Sequence, residues 1–400
     1  MERFNIVIVG HIDHGKSTLI GRLLYDTRSL PEGKMEEIIA TCKGLGREFE
    51  FAYILDAFLE EREKAMTIDT AQVSFRTAKR EYVIIDTPGH KELLRNMVTG
   101  ASYAEGAILI VSASEGIQEQ TKRHTYILKL LGIKQIIVII NKMDEVSYSQ
   151  NIFNSLRKEL KNLFSYFGIQ MLCVIPISAK QGDNIAVLSK EMLWYLEETV
   201  LAALDSCKKI ISRHRFRMPV QDIYRIDDED VIVGTVSSGE IRENDKITVL
   251  PGNRKAGLKS IAVFEGKKDK ASIGESIGLI LEEGYSLKRG DILCAQSLPN
   301  VGNKFFAVVL CLNKKLYSNT PYILQCATQE VGCSIKKVQE QIDINTLENI
   351  PADSLSEAEV GRVEIGTDTP LVYEEFEKLP ELGRFVLRES NDIIAAGIIV

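Results

Sequence analysis

No two of the seven cysteines, Cys42, Cys173, Cys207, Cys294, Cys311, Cys326 and Cys333, are spaced C-x-x-C. That absence, with their odd number and scatter, excludes a zinc ribbon and a disulfide-stapled scaffold and fits reduced thiols. Basic side chains are in short supply as well: 49 Lys and Arg stand against 56 Asp and Glu, a net charge of −7. That balance argues against a surface coated in cations for nucleic acid, but does not exclude a single basic patch on an acidic chain. Nowhere do about 18 apolar residues run together, so no membrane-spanning helix is expected. Solenoid repeats and low-complexity tracts are missing too. Met1-Glu2-Arg3-Phe4-Asn5 leads straight into an apolar run, which leaves no room for a signal peptide. A cytoplasmic protein with no membrane partner is the expectation.

What is present is enough apolar material for several cores: 45% of 400 residues, a length that suggests two or three domains. Up to about residue 205, short apolar runs alternate with amphipathic stretches. Phe4–Val9, Tyr82–Ile85, Ala107–Val111, Ile136–Ile140 and Met171–Ile175 are β-branched and apolar throughout, as parallel strands are when helices cover both faces. Lys16–Asp26, Gln118–Leu131 and Asn151–Phe167 are the helices between them. The alternation predicts a doubly wound, mainly parallel α/β domain over residues 1–205. After the basic stretch Ser206–Arg213 the texture changes. Short runs such as Val231–Val236, Lys246–Val249 and Ser276–Ile280 are separated by Gly, Asn and Asp turns, and Phe305–Leu310 and Gly383–Leu387 continue the pattern. Regular short strands predict two antiparallel β-barrels, at 214–297 and 301–400.

Four motifs follow strands in the first domain. Gly10-His11-Ile12-Asp13-His14-Gly15-Lys16-Ser17 fits G-x-x-x-x-G-K-[ST] between a strand and a helix, the setting of a phosphate-binding P-loop. Its backbone N–H groups would turn inward on phosphates, Lys16 would meet the β- and γ-phosphates, and Ser17 would ligate Mg²⁺. Asp86-Thr87-Pro88-Gly89-His90 follows Tyr82–Ile85. Asp86 there can hold the magnesium's water shell, the Gly89 N–H can approach the γ-phosphate, and His90 falls beside the attacking water. Asn141-Lys142-Met143-Asp144 follows Ile136–Ile140. The Asp144 carboxylate can accept both hydrogens from guanine N1 and N2, which adenine cannot offer, while Asn141 and the Lys142 stem support the base. Ser178-Ala179-Lys180 offers a backbone N–H to guanine O6. Either of the last two motifs alone could be an exposed loop; all four in order imply a site for GTP with Mg²⁺. His124 and His214 read as packing or surface side chains. Glu60-Glu61-Arg62-Glu63-Lys64 reads as a solvated helix face, with Arg62 open to a partner.

With these residues in place the chain resembles the translation-factor superfamily of GTPases, over all 400 residues. The loop Gly10–Thr18, Asp86–His90, Arg95-Asn96-Met97 and Met66-Thr67-Ile68-Asp69 resemble the elongation factors that carry aminoacyl-tRNA, as does Trp194-Tyr195 followed by Val200–Asp205. The resemblance implies that Thr67 reaches Mg²⁺ in the GTP state, that His90 positions water, and that Ile12 and Ile68 form an apolar gate beside it. A narrower resemblance is to the GTPase large subunit of sulfate adenylyltransferase. It rests on Phe51–Asp56, Gln118–His124, Leu131–Lys134, Phe216–Gln221, Val249–Asn253, Gly274–Gly278 and Lys288–Asp291. That family works with a small ATP-binding subunit that adenylylates sulfate, and GTP hydrolysis drives the otherwise unfavourable formation of adenosine 5′-phosphosulfate. No second P-loop follows the last barrel, so the adenylylsulfate kinase fused to some relatives is not expected here. Ala65-Met66 departs from the Gly-Ile of the usual switch segment, and His11 and His14 are elongation-factor-like. Delivery of tRNA, and regulation of some other protein partner, therefore stand beside sulfate activation as readings.

Overall fold

A computed structural model describes residues 3–44, 46, 48–57, 72–85, 104–208, 215–226, 229–263, 266–282, 286–312, 314–343, 348–390 and 392–400. The described residues up to 208 form one compact unit and those from 215 onward a second.

The first unit is built on strands β1 (Arg3–Gly10), β2 (Gln72–Arg76), β3 (Glu81–Ile85), β4 (Gly106–Ser112), β5 (Ile136–Asn141) and β6 (Cys173–Pro176), in the order β2-β3-β1-β4-β5-β6. Every neighbouring pair is parallel except β2 with β3. β3, β4 and β5 are buried at each position, which explains their unbroken apolar sequences. Among the described residues, helices α1 (Lys16–Asp26), α2 (Lys34–Gly44), α3 (Glu119–Leu130), α4 (Gln150–Phe167) and α5 (Val200–Ser206) accompany the sheet. α4 shows why these segments are helical. Phe153, Leu156, Leu160, Phe164 and Phe167 recur every three or four residues on its buried side. Ser149 Oγ accepts from the Ile152 N–H at 3.4 Å at its start, and Gly168 ends it at φ +67°. The order of strands reverses at β1, and ligands of such sheets bind at the carboxyl ends beside that reversal.

β2 is an edge strand whose Val73 and Phe75 are buried, Phe75 stacking on Tyr82 at 5.0 Å. Its hairpin to β3 is tied to the end of the unit. Thr77 Oγ1 and Tyr82 OH each donate to Asp205 Oδ1 at 2.8 Å, and Arg80 Nη1 donates to the Cys207 carbonyl at 3.0 Å.

The second unit holds two closed antiparallel barrels. Lys246–Leu250, Ile292–Cys294, Arg217–Ile226, Glu229–Thr235, Ser276–Leu281 and Arg254–Val263 follow one another round the first, which closes where the last pairs with the first. Pro321–Cys326, Arg384–Glu389, Asp392–Ile399, Asn300–Cys311, Val360–Tyr373 and Gln329–Ile342 close the second in the same way. Inward side chains such as Met218, Val249 and Leu279 in one, and Phe305, Leu324 and Phe385 in the other, fill the interiors. A shared apolar cluster of Leu250, Ile292, Cys294, Val372, Leu379 and Leu382 joins the barrels. Beside it Arg217 Nη2 meets Glu374 Oε1 at 3.2 Å, with the arginine side chain 4% exposed. Glu374→Ala would strand that guanidinium in a dry site. A loss of about 3 kcal/mol is expected, with Glu374→Gln losing less, measured as the denaturant midpoint of the barrel unit.

Candidate functional site

β1 ends at Gly10, where a Cβ would lie 2.6 Å from the Ile110 carbonyl of β4, so a side chain would force the strands apart. The chain then turns through Asp13 at φ +63° and Gly15 at φ +91°. At Gly15 the left-handed backbone is joined by a steric limit, since a Cβ would fall 2.3 Å from Asn141 Nδ2. α1 starts at the next residue, and the N–H groups of its first turn are left for a ligand. Lys16 Nζ arches back over the loop, donating to the Gly10 carbonyl at 2.9 Å and the His11 carbonyl at 2.8 Å. Ser17 and Thr18 follow, half-buried, while Ile12 at the loop's tip is 66% exposed.

The two loop histidines divide. His14 is fully buried, its Nδ1 3.3 Å from the Ile110 carbonyl and its Nε2 3.5 Å from Glu115 Oε2. Burial pushes its pKa below the ordinary value, against the pull of the Ile110 carbonyl and Glu115. A proton on Nδ1 would donate to the Ile110 carbonyl, and with the ring buried a phosphate would meet the main chain of His14. His11 hydrogen-bonds through Nδ1 to Gln120 Oε1 on α3, and its ring stands edge-on to His14 at 5.2 Å.

Opposite the loop, Asn141 is 2% exposed at the end of β5. Its Nδ2 donates to the His14 carbonyl at 2.9 Å, and its Oδ1 accepts from the Ala179 N–H at 3.0 Å. Lys142 follows in the left-handed region at φ +63°, with Nζ 3.5 Å from Glu145 Oε1. Asp144 is half-buried in the 3₁₀ turn Met143–Val146. Ser178 and Ala179 are buried and Lys180 is exposed, with Ser178 Oγ accepting from the Gln181 N–H at 3.2 Å. One carboxamide therefore brings the phosphate loop, the N-K-M-D turn and the S-A-K loop together. Beside them a cavity of about 450 Å³ is lined by Arg22, Tyr148, Gln181, Asp183, Ser189 and Lys190, among others.

Thr67, Ile68, Asp86, Gly89 and His90 lie outside the described residues, as do Arg62 and the rest of Glu60–Lys64, Ala65-Met66, Arg95-Asn96-Met97 and His214. Among the expected metal ligands Ser17 is described, and a hydroxyl beside a phosphate cradle fits Mg²⁺, which draws most of its ligands from phosphate and water. His124 is buried, a packing residue. Sequence reasoning passed over Gln120, Tyr148, Asp183 and Asn184. For the last, the Gly182-Asp183-Asn184 turn chemistry was a usable signal: Asn184 is buried at φ +57° and bridges the Pro176 carbonyl and the Ser189 N–H, both at 2.8 Å.

The family of the elongation factor Tu GTP binding domain matches residues 1–208, and that of the GTP-eEF1A C-terminal domain-like fold matches residues 304–400. The chain belongs to the translation-factor superfamily of GTPases. This GTPase is similar to elongation factor 1-alpha of Methanosphaerula palustris, 34% identical over 410 residues that cover 99% of this chain and 96% of that protein. It is similar at the same identity to sulfate adenylyltransferase subunit 1 of Aeromonas hydrophila subsp. hydrophila, over 401 residues covering 98% of this chain and 84% of that protein. Among solved structures it is similar to sup35 complexed with GDP, 24% identical at a TM-score of 0.46, covering 100% of this chain and 94% of that one.

Asn141→Ala in this GTPase removes both bridging bonds and leaves the buried His14 carbonyl and Ala179 N–H unpaired. GDP affinity is expected to fall at least about tenfold, read by displacement of a fluorescent guanine nucleotide. Unchanged affinity would show that the bridge does not set the site.

Proposed function

We propose that this GTPase is the energy-coupling subunit of a sulfate adenylyltransferase. GTP hydrolysis would drive formation of adenosine 5′-phosphosulfate from ATP and sulfate on a small ATP-binding partner subunit, in a cytoplasmic heterodimer or larger complex. The observation that carries the reading is the charge of the last barrel. Residues 301–400 hold fifteen Asp and Glu against nine Lys and Arg. Five of the nine are tied to carboxylates, in the pairs Lys304–Glu364, Lys314–Glu389, Arg362–Glu340, Lys378–Glu375 and Arg388–Glu330. Nucleic-acid affinity comes largely from cations that displace counterions from phosphates, and this barrel has few to offer. The sequence likeness to a protein named sulfate adenylyltransferase subunit 1 supports the same reading.

In that role the P-loop amides and Lys16 hold the phosphates, Asp144 accepts from guanine, and the Asn141 bridge keeps the two ends in register. Ser17 and Thr67 would ligate Mg²⁺ and Asp86 its water shell; the ion's part is to neutralise phosphate charge. The γ-phosphate would tether Thr67 and the Gly89 N–H, ordering the segments around 65–70 and 90–99 until hydrolysis releases them. His90 would orient water, since phosphoryl transfer needs positioning more than a strong base. Alone, such a GTPase turns over on the order of 10⁻⁴ per second, and the partner's adenylyl-transfer complex would bring His90 into place. The equal likeness to elongation factor 1-alpha favours a second reading, delivery of aminoacyl-tRNA.

The two readings part in one assay, release of GDP and of adenosine 5′-phosphosulfate with and without the partner, ATP and sulfate. GTP should raise the yield, the partner should speed hydrolysis, and Thr67→Ala should abolish the gain while sparing the partner's ATP site. If GTP alters neither yield nor rate and aminoacyl-tRNA binds in the GTP state alone, the elongation-factor reading replaces this one.

A further inference from the structure

Asp144 sits in a strained turn. Lys142, Ser147 and Tyr148 all have positive φ, +63°, +52° and +54°, in the left-handed region that side-chain-bearing residues disfavour. Such residues persist where their surroundings over-determine them, and they gather at functional sites. The surroundings in this case are three hydrogen bonds to one residue. The Tyr148 N–H donates to the Met143 carbonyl at 2.8 Å. Its phenol donates to Asp183 Oδ2 at 3.1 Å, and its carbonyl accepts from Trp194 Nε1 at 3.1 Å. Asp183 is itself fixed: Oδ1 accepts from Ser189 Oγ at 2.7 Å, and its N–H donates to the Ser178 carbonyl at 3.1 Å. Trp194 is seated on Phe153 of α4, ring centroids 5.2 Å apart. Burial, with Asp183 next, raises the Tyr148 hydroxyl to about 12; like any tyrosine it is a protonated donor at neutral pH. A single side chain thus links the turn that carries Asp144 to the loop that carries Ser178 and Ala179.

We propose that Tyr148, Asp183 and Trp194 are positioning residues for guanine selectivity, holding the Asp144 carboxylate where it accepts from both N1–H and the 2-amino group. The inference rests on the reading of Asp144 as the base-recognising carboxylate, and it extends that reading to residues that need not touch the base. A purely structural role would lower stability and weaken every nucleotide alike. A positioning role weakens the second hydrogen bond to guanine selectively.

Inosine diphosphate lacks the 2-amino group, so the ratio of GDP to IDP affinity measures that second bond. The ratio is measured by equilibrium competition on the full chain, with melting temperature recorded for each variant. Asp144→Ala should bring it close to one. Tyr148→Phe, which removes one hydroxyl and keeps the ring, should lower it about fivefold, and Asp183→Asn should act in the same direction. Trp194→Phe serves as the further variant if Asp183→Asn does not fold. A parent-like ratio in Tyr148→Phe and in the second variant, with the ratio lost in Asp144→Ala, overturns the inference and leaves the base site standing. A parent-like ratio in Asp144→Ala overturns the base-site reading itself, and the inference with it.

Discussion

The first unit depends on one buried carboxamide. Asn141 donates to the His14 carbonyl and accepts from the Ala179 N–H, so the loop that would hold phosphate and the loop that would face the base are kept at a set separation. Water cannot substitute for those bonds at a side chain 2% exposed, and a buried polar group left unmade costs more than the bond contributes when made. The same carboxamide explains the second loop glycine. Any side chain at Gly15 would meet Asn141 Nδ2 within 2.3 Å, so the phosphate loop can close only against the bare backbone. A guanine nucleotide is anionic at one end and a hydrogen-bonding heterocycle at the other. Fixing the distance between the two loops would select for a ligand of that length.

How much of this was legible in the sequence follows from which contacts are local. β1, β3, β4, β5 and β6 show as apolar runs because parallel strands are covered on both faces. β2 does not show, because Gln72, Ser74 and Arg76 interrupt Val73 and Phe75 on an antiparallel edge. The P-loop glycines were legible because steric contacts at Gly10 and Gly15 leave no room for a side chain. The direction of His14 was not, because it is decided by Ile110 and Glu115, and the carbonyl it meets is 96 positions away. Tyr148 and Asp183 are 35 positions apart and carry no shared pattern. Long-range polar pairs of this kind leave no periodicity, so pattern reading finds the elements and misses the bonds between their loops.

The barrel unit solves a different problem. Closing each sheet removes the unpaired edges through which strands add to other chains. The barrels then meet largely through side chains, with the backbone at Gly290 also close to that of Thr328 and Gln329. Leu250, Ile292 and Cys294 from one and Val372, Leu379 and Leu382 from the other supply area without direction. Arg217 supplies direction. Its guanidinium bonds to the Phe216 carbonyl, Ser297 Oγ and Glu374 Oε1, and a fork of fixed geometry accepts few relative orientations. Desolvating the pair costs much of what it contributes, so its value lies more in orientation than in net stability.

In the turn proposed to read the base, strain and selectivity would be two sides of one requirement. Three left-handed residues, Lys142, Ser147 and Tyr148, each cost about 1–2 kcal/mol relative to relaxed backbone. A sequence free to relax would place glycine or asparagine at these positions, as other turns of the chain do at Gly168 and Asn184. Two of the three side chains make bonds that hold the turn, Lys142 to Glu145 and Tyr148 to Asp183. Rejecting a base that lacks a donor requires that the unmatched carboxylate stay where it is and remain unpaired. A carboxylate on a compliant turn would move to solvent and lose little. On the proposed reading of Asp144 as the base-recognising carboxylate, rigidity around it would be a condition of discrimination, supplied by residues that need not touch the base.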